Sequence, residues 1–393
     1  MAKKVLYLDW PCFGKADILE TFSLLGMEVI SFFHDHYTER KDAAFDEAFD
    51  AAVNDADFAF SFNYYPLLSE GCKRHNIPYL SIIYDSPQVA VFSYTIINPC
   101  NFVFIFDSEL AARLRKEGIS TVYYLPLPVN PSRIHKILQK KPANAARYNA
   151  DVSFVGTLYH EDHDFYGRLD GISDYTRGYL EGIMDAQRKV YGYHFIEEVL
   201  TQNVIADMQN ASGYQLDRYG VQTLEYVFAN YFIDRKITQL ERIELLNAVA
   251  ERFSLKLFTV DCNAPVIKAA NMGTADYYTE MPYVFANSRI NLNITLRSIS
   301  SGIPLRCMDI LNCGGFLLTN YQADFFRHLN ADEHYVYFES RDDLLAKIDY
   351  YLSHERERIE IAQNGQRAVQ ANYSYKVIIP QILEIVFDNF GRK

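Results

Sequence analysis

Arg306 and Asp309 stand three residues apart in the stretch Arg297 to Asn320, RSISSGIPLRCMDILNCGGFLLTN. On a helix that spacing puts a guanidinium and a carboxylate on one face. The stretch is punctuated as a short helix should be. Gly302 and Pro304 make an opening turn, with Pro304 expected in the first helical turn, where its missing N–H costs nothing. Gly314 and Gly315 are expected to supply the positive φ that ends the helix before an apolar strand. A cationic fork and a carboxylate beside a helix N-terminus suit a ligand that is anionic at one end and rich in hydroxyls at the other. A nucleotide sugar is a ligand of that kind.

The elements that must position these residues are legible from periodicity. The first third alternates short apolar runs, at 5–9, 27–33, 58–62, 78–84, 102–106 and 121–125, with helical patterns near 15–25, 43–53 and 108–117. Near-continuous apolar strands separated by helices indicate a parallel sheet covered on both faces. The pattern lapses into the polar KILQKKPANAARYNA, so a domain boundary is expected at 145, giving domains 1–145 and 146–393. The second domain opens with the strand DVSFVG (151–156), and a Tyr-rich helical insertion over about 160–234 follows. Alternation resumes with a helix at 237–253 and strands at 254–260, 289–295 and 316–320; helices near 343–352, at 354–369 and at about 375–390 close the chain. Two successive α/β domains suggest a ligand site in a cleft between them, since open α/β sheets bind at the carboxyl ends of their strands.

Composition narrows the class. Acidic residues outnumber basic ones 50 to 38 and no Lys/Arg block tracks a phosphate backbone, which argues against nucleic acid as a partner. The start MAKKVLYLDW reads as a strand and not as a signal peptide, and no apolar run reaches membrane-spanning length, so a cytoplasmic location is expected. The six cysteines lack C-x-x-C spacing and read as reduced core residues. HDH (34–36) and HEDHD (160–164) lack the spacing that puts two imidazoles on one helix face, and read as solvated loop histidines. Asp55-Ala-Asp57 precedes an apolar strand and reads as a loop. No metal or other cofactor is expected.

Six blocks carry a family resemblance: FSFNYYPLLS (60–69), IPYLSIIYDSP (77–87), NFVFIFDS (101–108), VYYLPLPVN (122–130), VSFVGTLY (152–159) and the long run 291–325. They resemble the group-1-like glycosyltransferase domain of CgeB-like bacterial proteins and the uncharacterised domain that commonly precedes it. The resemblance implies a GT-B fold: two Rossmann-like domains facing a central cleft, donor on the C-terminal one, acceptor on the N-terminal one, and a last helix that crosses back to the first domain. The retaining branch often carries two glutamates eight residues apart. Asp309 stands where the second, on the ribose hydroxyls, is found, and Ser301 where the first, on the sugar, is found.

The implied activity is transfer of a sugar from a nucleoside diphosphate sugar to a hydroxyl of a glycan, a lipid-linked sugar or a protein; peripheral membrane association stays open. On the donor side Asp309 would hold ribose, and Arg306 and Arg297 the departing diphosphate, with a plain ion pair as the alternative for either arginine. Ser300, Ser301 and Gly302 would present hydroxyls and N–H groups to phosphate or simply cap the helix, and Gly156 and Thr157 end a strand where phosphate-approaching loops lie. On the acceptor side Gly14 would admit substrate to the backbone, while Asn63, Tyr64, Asp85 and Ser86 follow strand ends. Asp85 is the candidate general base of an inverting reaction, or else a cap of the Ser-Pro turn. Rival readings are a nucleotide-sugar epimerase on the same scaffold and a glycan-binding or surface protein without catalysis; the missing G-x-G-x-x-G disfavours an NAD-dependent oxidoreductase.

Overall fold

A computed structural model of the chain describes residues 3–159, 165–261 and 263–390. The described backbone forms two six-stranded sheets, all of whose strand pairings are parallel. The chain divides into two compact units: Met1–Pro128 with Asp217–Gln222 and Asn372–Lys393, and Val129–Leu216 with Thr223–Ala371.

The first unit runs β1 (Lys4–Leu8), α1 (Lys15–Leu24), β2 (Glu28–Phe32), α2 (Ala43–Ala52), β3 (Phe58–Phe62), α3 (Pro66–His75), β4 (Tyr79–Ile83), β5 (Asn101–Ile105), α4 (Ser108–Lys116) and β6 (Val122–Tyr124). Its strand order is β2-β1-β3-β4-β5-β6. The inner strands β3, β4 and β5 are buried at every residue, which is why they read as unbroken apolar runs. Phe22 of α1 meets Phe58 and Phe60 edge to face at 6.1 and 5.4 Å, an aromatic geometry that adds about 0.5–1.5 kcal/mol per pair beyond burial.

The second unit opens with α5 (Pro131–Leu138), α6 (Ala145–Tyr148) and β7 (Ala150–Val155), and the described part of 165–233 contains α7 (Asp174–Arg188), α8 (Ile196–Val199), α9 (Gln202–Ser212), α10 (Leu224–Val227) and a π-helix at Phe228–Ile233. Then come α11 (Asp234–Arg252), β8 (Leu255–Phe258), β9 (Ala270–Asn271), α12 (Met281–Asn287), β10 (Ser288–Asn293), α13 (Leu305–Asn312) and β11 (Leu317–Asn320). It ends with α14 (Phe325–His328), β12 (Val336–Phe338), α15 (Arg341–Ser353) and α16 (Glu355–Asn372). The order is β12-β11-β10-β7-β8-β9. Its core joins Val152 and Phe154 of β7 to Leu257, Ile290, Leu292 and Leu318 of the neighbouring strands.

The last helix, α17 (Tyr375–Asn389), belongs to the first unit, where Phe387 meets Phe58 edge-on at 5.7 Å. The change of unit after Pro128 falls ahead of the expected 145. The polar stretch in which the boundary is expected is helical at both ends: Asn130 caps α5 by accepting from the Arg133 N–H at 3.0 Å, and Lys256 holds α6 through the Ala146 carbonyl at 2.5 Å. Among the described residues no helix is long and apolar enough to cross a membrane.

Candidate functional site

Each sheet reverses its strand order once, between β1 and β3 in the first and between β7 and β10 in the second. At such a switch point the connections leave in opposite directions and open a crevice at the carboxyl ends of the strands. In the second sheet that crevice receives Gly156 and Thr157 after β7, and Asn293 through Arg297 at and after β10.

Helix α13 aims one expected residue, Arg306, at this place. Pro304 is its N-cap and precedes the first helical residue, with its carbonyl accepting from the Cys307 N–H at 3.0 Å. Gly314 takes the positive φ of 72° that closes the helix, whereas Gly315 is needed for room: a Cβ there would lie 2.6 Å from Asn291 Nδ2 and from the Phe285 carbonyl. From the first turn the half-buried Arg306 donates to Asn293 Oδ1 at 3.2 Å and lies 5.8 Å from the Phe154 ring. Asn293 is itself fixed, its amide donating to Thr295 Oγ1 and Thr319 Oγ1 at 3.0 Å each. The guanidinium lies against Gly156, where a Cβ would come within 2.7 Å of Nη2 and where φ is +150°. Arg306 and Gly156 thus form one constellation, and glycine is what makes room for it.

A second guanidinium, not singled out from the sequence, completes it. Arg242 of α11 is 2% exposed; it donates to the Ile294 carbonyl through Nε at 3.1 Å and to the Thr157 carbonyl through Nη1 at 2.7 Å. It thereby ties the end of β7 to the end of β10, 5.3 Å from the same Phe154 ring. Among the described residues no carboxylate forms an ion pair with Arg242 or with Arg306. Burial lowers the Arg242 pKa to about 10, and the charge of Arg306 pushes the same way against Tyr159. Burial likewise lowers Arg306. Two arginines side by side, with no ion-paired carboxylate among the described residues, at the carboxyl edge of a parallel sheet, suit an anion.

Asp309, 7% exposed, lies on the same helix toward α12 and α5, where Tyr277 donates to its Oδ1 at 3.4 Å and Arg133 stands 5.1 Å from the Tyr277 ring. A small recess there is lined by Arg133, Tyr277, Met281, Phe285, Asp309 and Cys313.

Arg297 is placed otherwise than expected. Its Nε and Nη2 clasp Glu241 at 2.9 and 2.8 Å, Nη1 donates to the Val190 carbonyl at 2.9 Å, and Tyr191 covers it at 4.2 Å. It is a buried tie between α11 and the loop after β10, with too few donors left for a diphosphate. Ser301 also turns inward, its hydroxyl donating to Asp324 at 3.2 Å, so of the turn Ser300, Ser301 and Gly302 it is not the Ser301 side chain that faces a ligand. Thr157 contributes its carbonyl, to Arg242.

In the first unit Asn63 has φ 62° and organises the end of β4: its Oδ1 accepts from the N–H groups of Tyr84 and Asp85 at 2.9 and 3.1 Å, and its Nδ2 donates to Asp85 Oδ2 at 2.7 Å. Asp85 itself is exposed, as a base must be, on the turn that continues through Ser86. Two expectations are corrected. Tyr64 is fully buried, bonded to Thr95 at 2.7 Å and stacked on Tyr79, so it is core. Gly14 has φ 83°, but the Tyr84 and Tyr375 hydroxyls fill the space over it, 2.5 and 2.7 Å from a built Cβ. It admits neighbouring side chains rather than substrate.

His34, His36 and Asp42 do converge, with ligand atoms within 4.8 Å of one another, although His36 Nδ1 bonds Asp42 at 2.8 Å and Asp42 also caps α2. HEDHD (160–164) and Cys262 lie outside the described residues. Asp57 accepts from the Lys4 N–H at 2.6 Å, which anchors the strand entry. No disulfide joins the described cysteines.

Residues 242–384 match the family described as glycosyl transferase-like. No curated protein matches the sequence. Solved structures with the same fold include sucrose-phosphate synthase from Thermosynechococcus elongatus, 12% identical over 100% of both chains with a TM-score of 0.52. HepE from Anabaena, solved with UDP and glucose, is 11% identical over 98% of this chain and 100% of its own, with a TM-score of 0.53. A putative UDP-N-acetylglucosamine 2-epimerase from Listeria monocytogenes is 7% identical over 100% and 98%, with a TM-score of 0.53. The fold is therefore GT-B, with a glycosyl transferase-like domain in its C-terminal part.

Proposed function

We propose that the chain is a glycosyltransferase of the CgeB-like kind, moving a sugar from a nucleoside diphosphate sugar to an acceptor hydroxyl, without a metal. The observation that carries this is the arginine pair at the β7/β10 switch point: Arg306 presents its guanidinium from the first turn of α13, and the buried Arg242 behind it raises the positive potential. A diphosphate leaves with developing negative charge, and preorganised cations there stabilise the transition state more than the ground state. Asp309, one turn further along α13, accepts the ribose hydroxyls. The glycosyl transferase-like match and the structural neighbour solved with UDP and glucose support this reading.

In the reaction the acceptor oxygen bonds to the anomeric carbon, the bond from that carbon to the phosphate oxygen breaks, and its electron pair leaves with the nucleoside diphosphate. Asp85 takes the acceptor proton. Asn63 holds one oxygen of that carboxylate, so the other is aimed.

The test is calorimetric titration of Asp309→Ala with a panel of nucleoside diphosphates. The variant should fold and bind at least tenfold more weakly than the parent. Unchanged affinity refutes the assignment, and conversion of a nucleotide sugar to its epimer without acceptor would replace transfer by isomerisation.

A further inference from the structure

The switch point of the first sheet carries a different chemistry from that of the second. Trp10, the chain's one tryptophan, follows β1, and its Nε1–H donates to the Phe62 carbonyl, at the end of β3, at 3.1 Å. The indole is thereby fixed across the two strands where the order reverses. Tyr37 stacks on it at 6.3 Å and 24°, Tyr65 meets it edge-on at 6.2 Å, and Phe33 continues the row at 6.1 Å from Tyr37. This is not a sealed core, because Phe33 is 53% exposed. Apolar rings left open at a strand-end crevice mark a binding surface.

Two carboxylates stand near the row. Asp9 directly precedes Trp10, and Asp85 extends from β4. Asn63, next to the Phe62 carbonyl that holds the indole, donates to Asp85 Oδ2 at 2.7 Å, and the Asp9 N–H donates to the carbonyl of Phe32, next to Phe33, at 2.7 Å, so both carboxylates stand at the strand ends that carry the row. Lys15 pairs with Asp9, and Arg40 holds Asp217 at 2.6 Å. Carboxylates at these strand ends disfavour an anionic ligand. A lipid chain would have no use for two carboxylates. A pyranose uses both features, its C–H face against the electron-rich ring faces and its hydroxyls donating to carboxylate lone pairs, of which each carboxylate has about four.

We propose that the β1/β3 crevice binds an uncharged saccharide on the Trp10–Tyr37 row, with Asp9 and Asp85 accepting its hydroxyls. Joined to the transfer reading above, on which this step rests, it names the acceptor as a neutral glycan, not a lipid, a protein or a sugar phosphate.

Trp10 reports on the site directly, since all indole emission comes from it. The whole chain is titrated with neutral mono- and oligosaccharides and with glucose 6-phosphate, beside a glycan array. A saturable emission change with a neutral glycan is expected, weakened at least tenfold in Tyr37→Ala and in Phe33→Ser, the latter an exposed position whose replacement should leave the fold intact by circular dichroism. Flat emission together with an empty array overturns the proposal, as does tighter binding of the phosphate. Calorimetry with nucleoside diphosphates separates the two readings. Nucleotide binding without a glycan response sinks only the saccharide site, whereas a glycan response without nucleotide binding sinks only the donor site.

Discussion

Replacing Arg306 with Gln should weaken nucleotide binding while leaving the unliganded protein about as stable as before. In the unliganded state Arg306 makes one hydrogen bond, to Asn293, has no carboxylate partner among the described residues and shares the surroundings of Phe154 with Arg242. Losing that bond costs about 1 kcal/mol, and relief of the buried like-charge contact offsets part of it. On the proposed reading the same residue makes charge-assisted hydrogen bonds to the diphosphate worth about 1.5–3 kcal/mol, so the dissociation constant should rise about 10- to 150-fold. The two effects separate in thermal unfolding with and without a nucleoside diphosphate. At a ligand concentration about 100 times the parent's dissociation constant the parent gains about 2.7 kcal/mol, and the variant should gain only about 0.3–1.4 kcal/mol. An undiminished ligand gain would refute the anion-receptor argument. So would a loss of several kcal/mol without ligand, which would make Arg306 a structural residue.

Arg297→Met should behave the opposite way: it strands the buried Glu241 and should cost about 3–5 kcal/mol in urea denaturation before any ligand is added. Reduced nucleotide affinity at unchanged stability would instead return Arg297 to the donor site. Gly156→Ala places a Cβ against the Arg306 guanidinium at a φ of +150°, so it should lose about 1–3 kcal/mol of stability and also weaken nucleotide binding, both readable in the same unfolding assay. His194 bonds Asp234 at 2.7 Å; burial opposes its charge, but the Asp234 carboxylate outweighs burial and raises its pKa. A raised folded-state pKa contributes stability that is fully present below the unfolded value of about 6.5 and lost as pH rises through the folded value. The urea midpoint should therefore fall across that interval, and His194→Gln should flatten the fall.

What could be read from residue order was what depends on neighbours in the chain. The unbroken apolar runs of β3, β4 and β5 follow from burial on both faces, and the short helix that carries Arg306 and Asp309 is marked by the turn residues at its two ends. What could not be read was set by partners distant in sequence. Tyr64 and Asn63 are adjacent, yet one faces the core against Tyr79 and the other turns the chain at φ 62° to hold Asp85. The polar residues around 136–149 read as a domain boundary because the cap and the carbonyl contact that fix the helices at either end lie outside any periodic pattern.

The arginines make the same point about function. Arg242, Arg297 and Arg306 are alike in type, and two of them sit in or beside the recognisable stretch, but their roles divide on a single variable: whether a carboxylate faces them. Glu241 faces Arg297 from 56 positions away, whereas its neighbour Arg242 donates to the carbonyls of Thr157 and Ile294 and lies against the Phe154 and Tyr159 rings. Adjacent residues of one helix thus supply the counter-ion that silences one arginine and the cation that strengthens another. A signal for Arg242 was present, as a charge one helical turn past Thr238 on a buried face of α11, but a helix spelled ERIE offers several such charges and no way to choose among them. The choice is made at the β7/β10 switch point, where two strand ends leave carbonyls that need a donor and a crevice that needs a charge; the arginine that meets the first demand creates the field for the second.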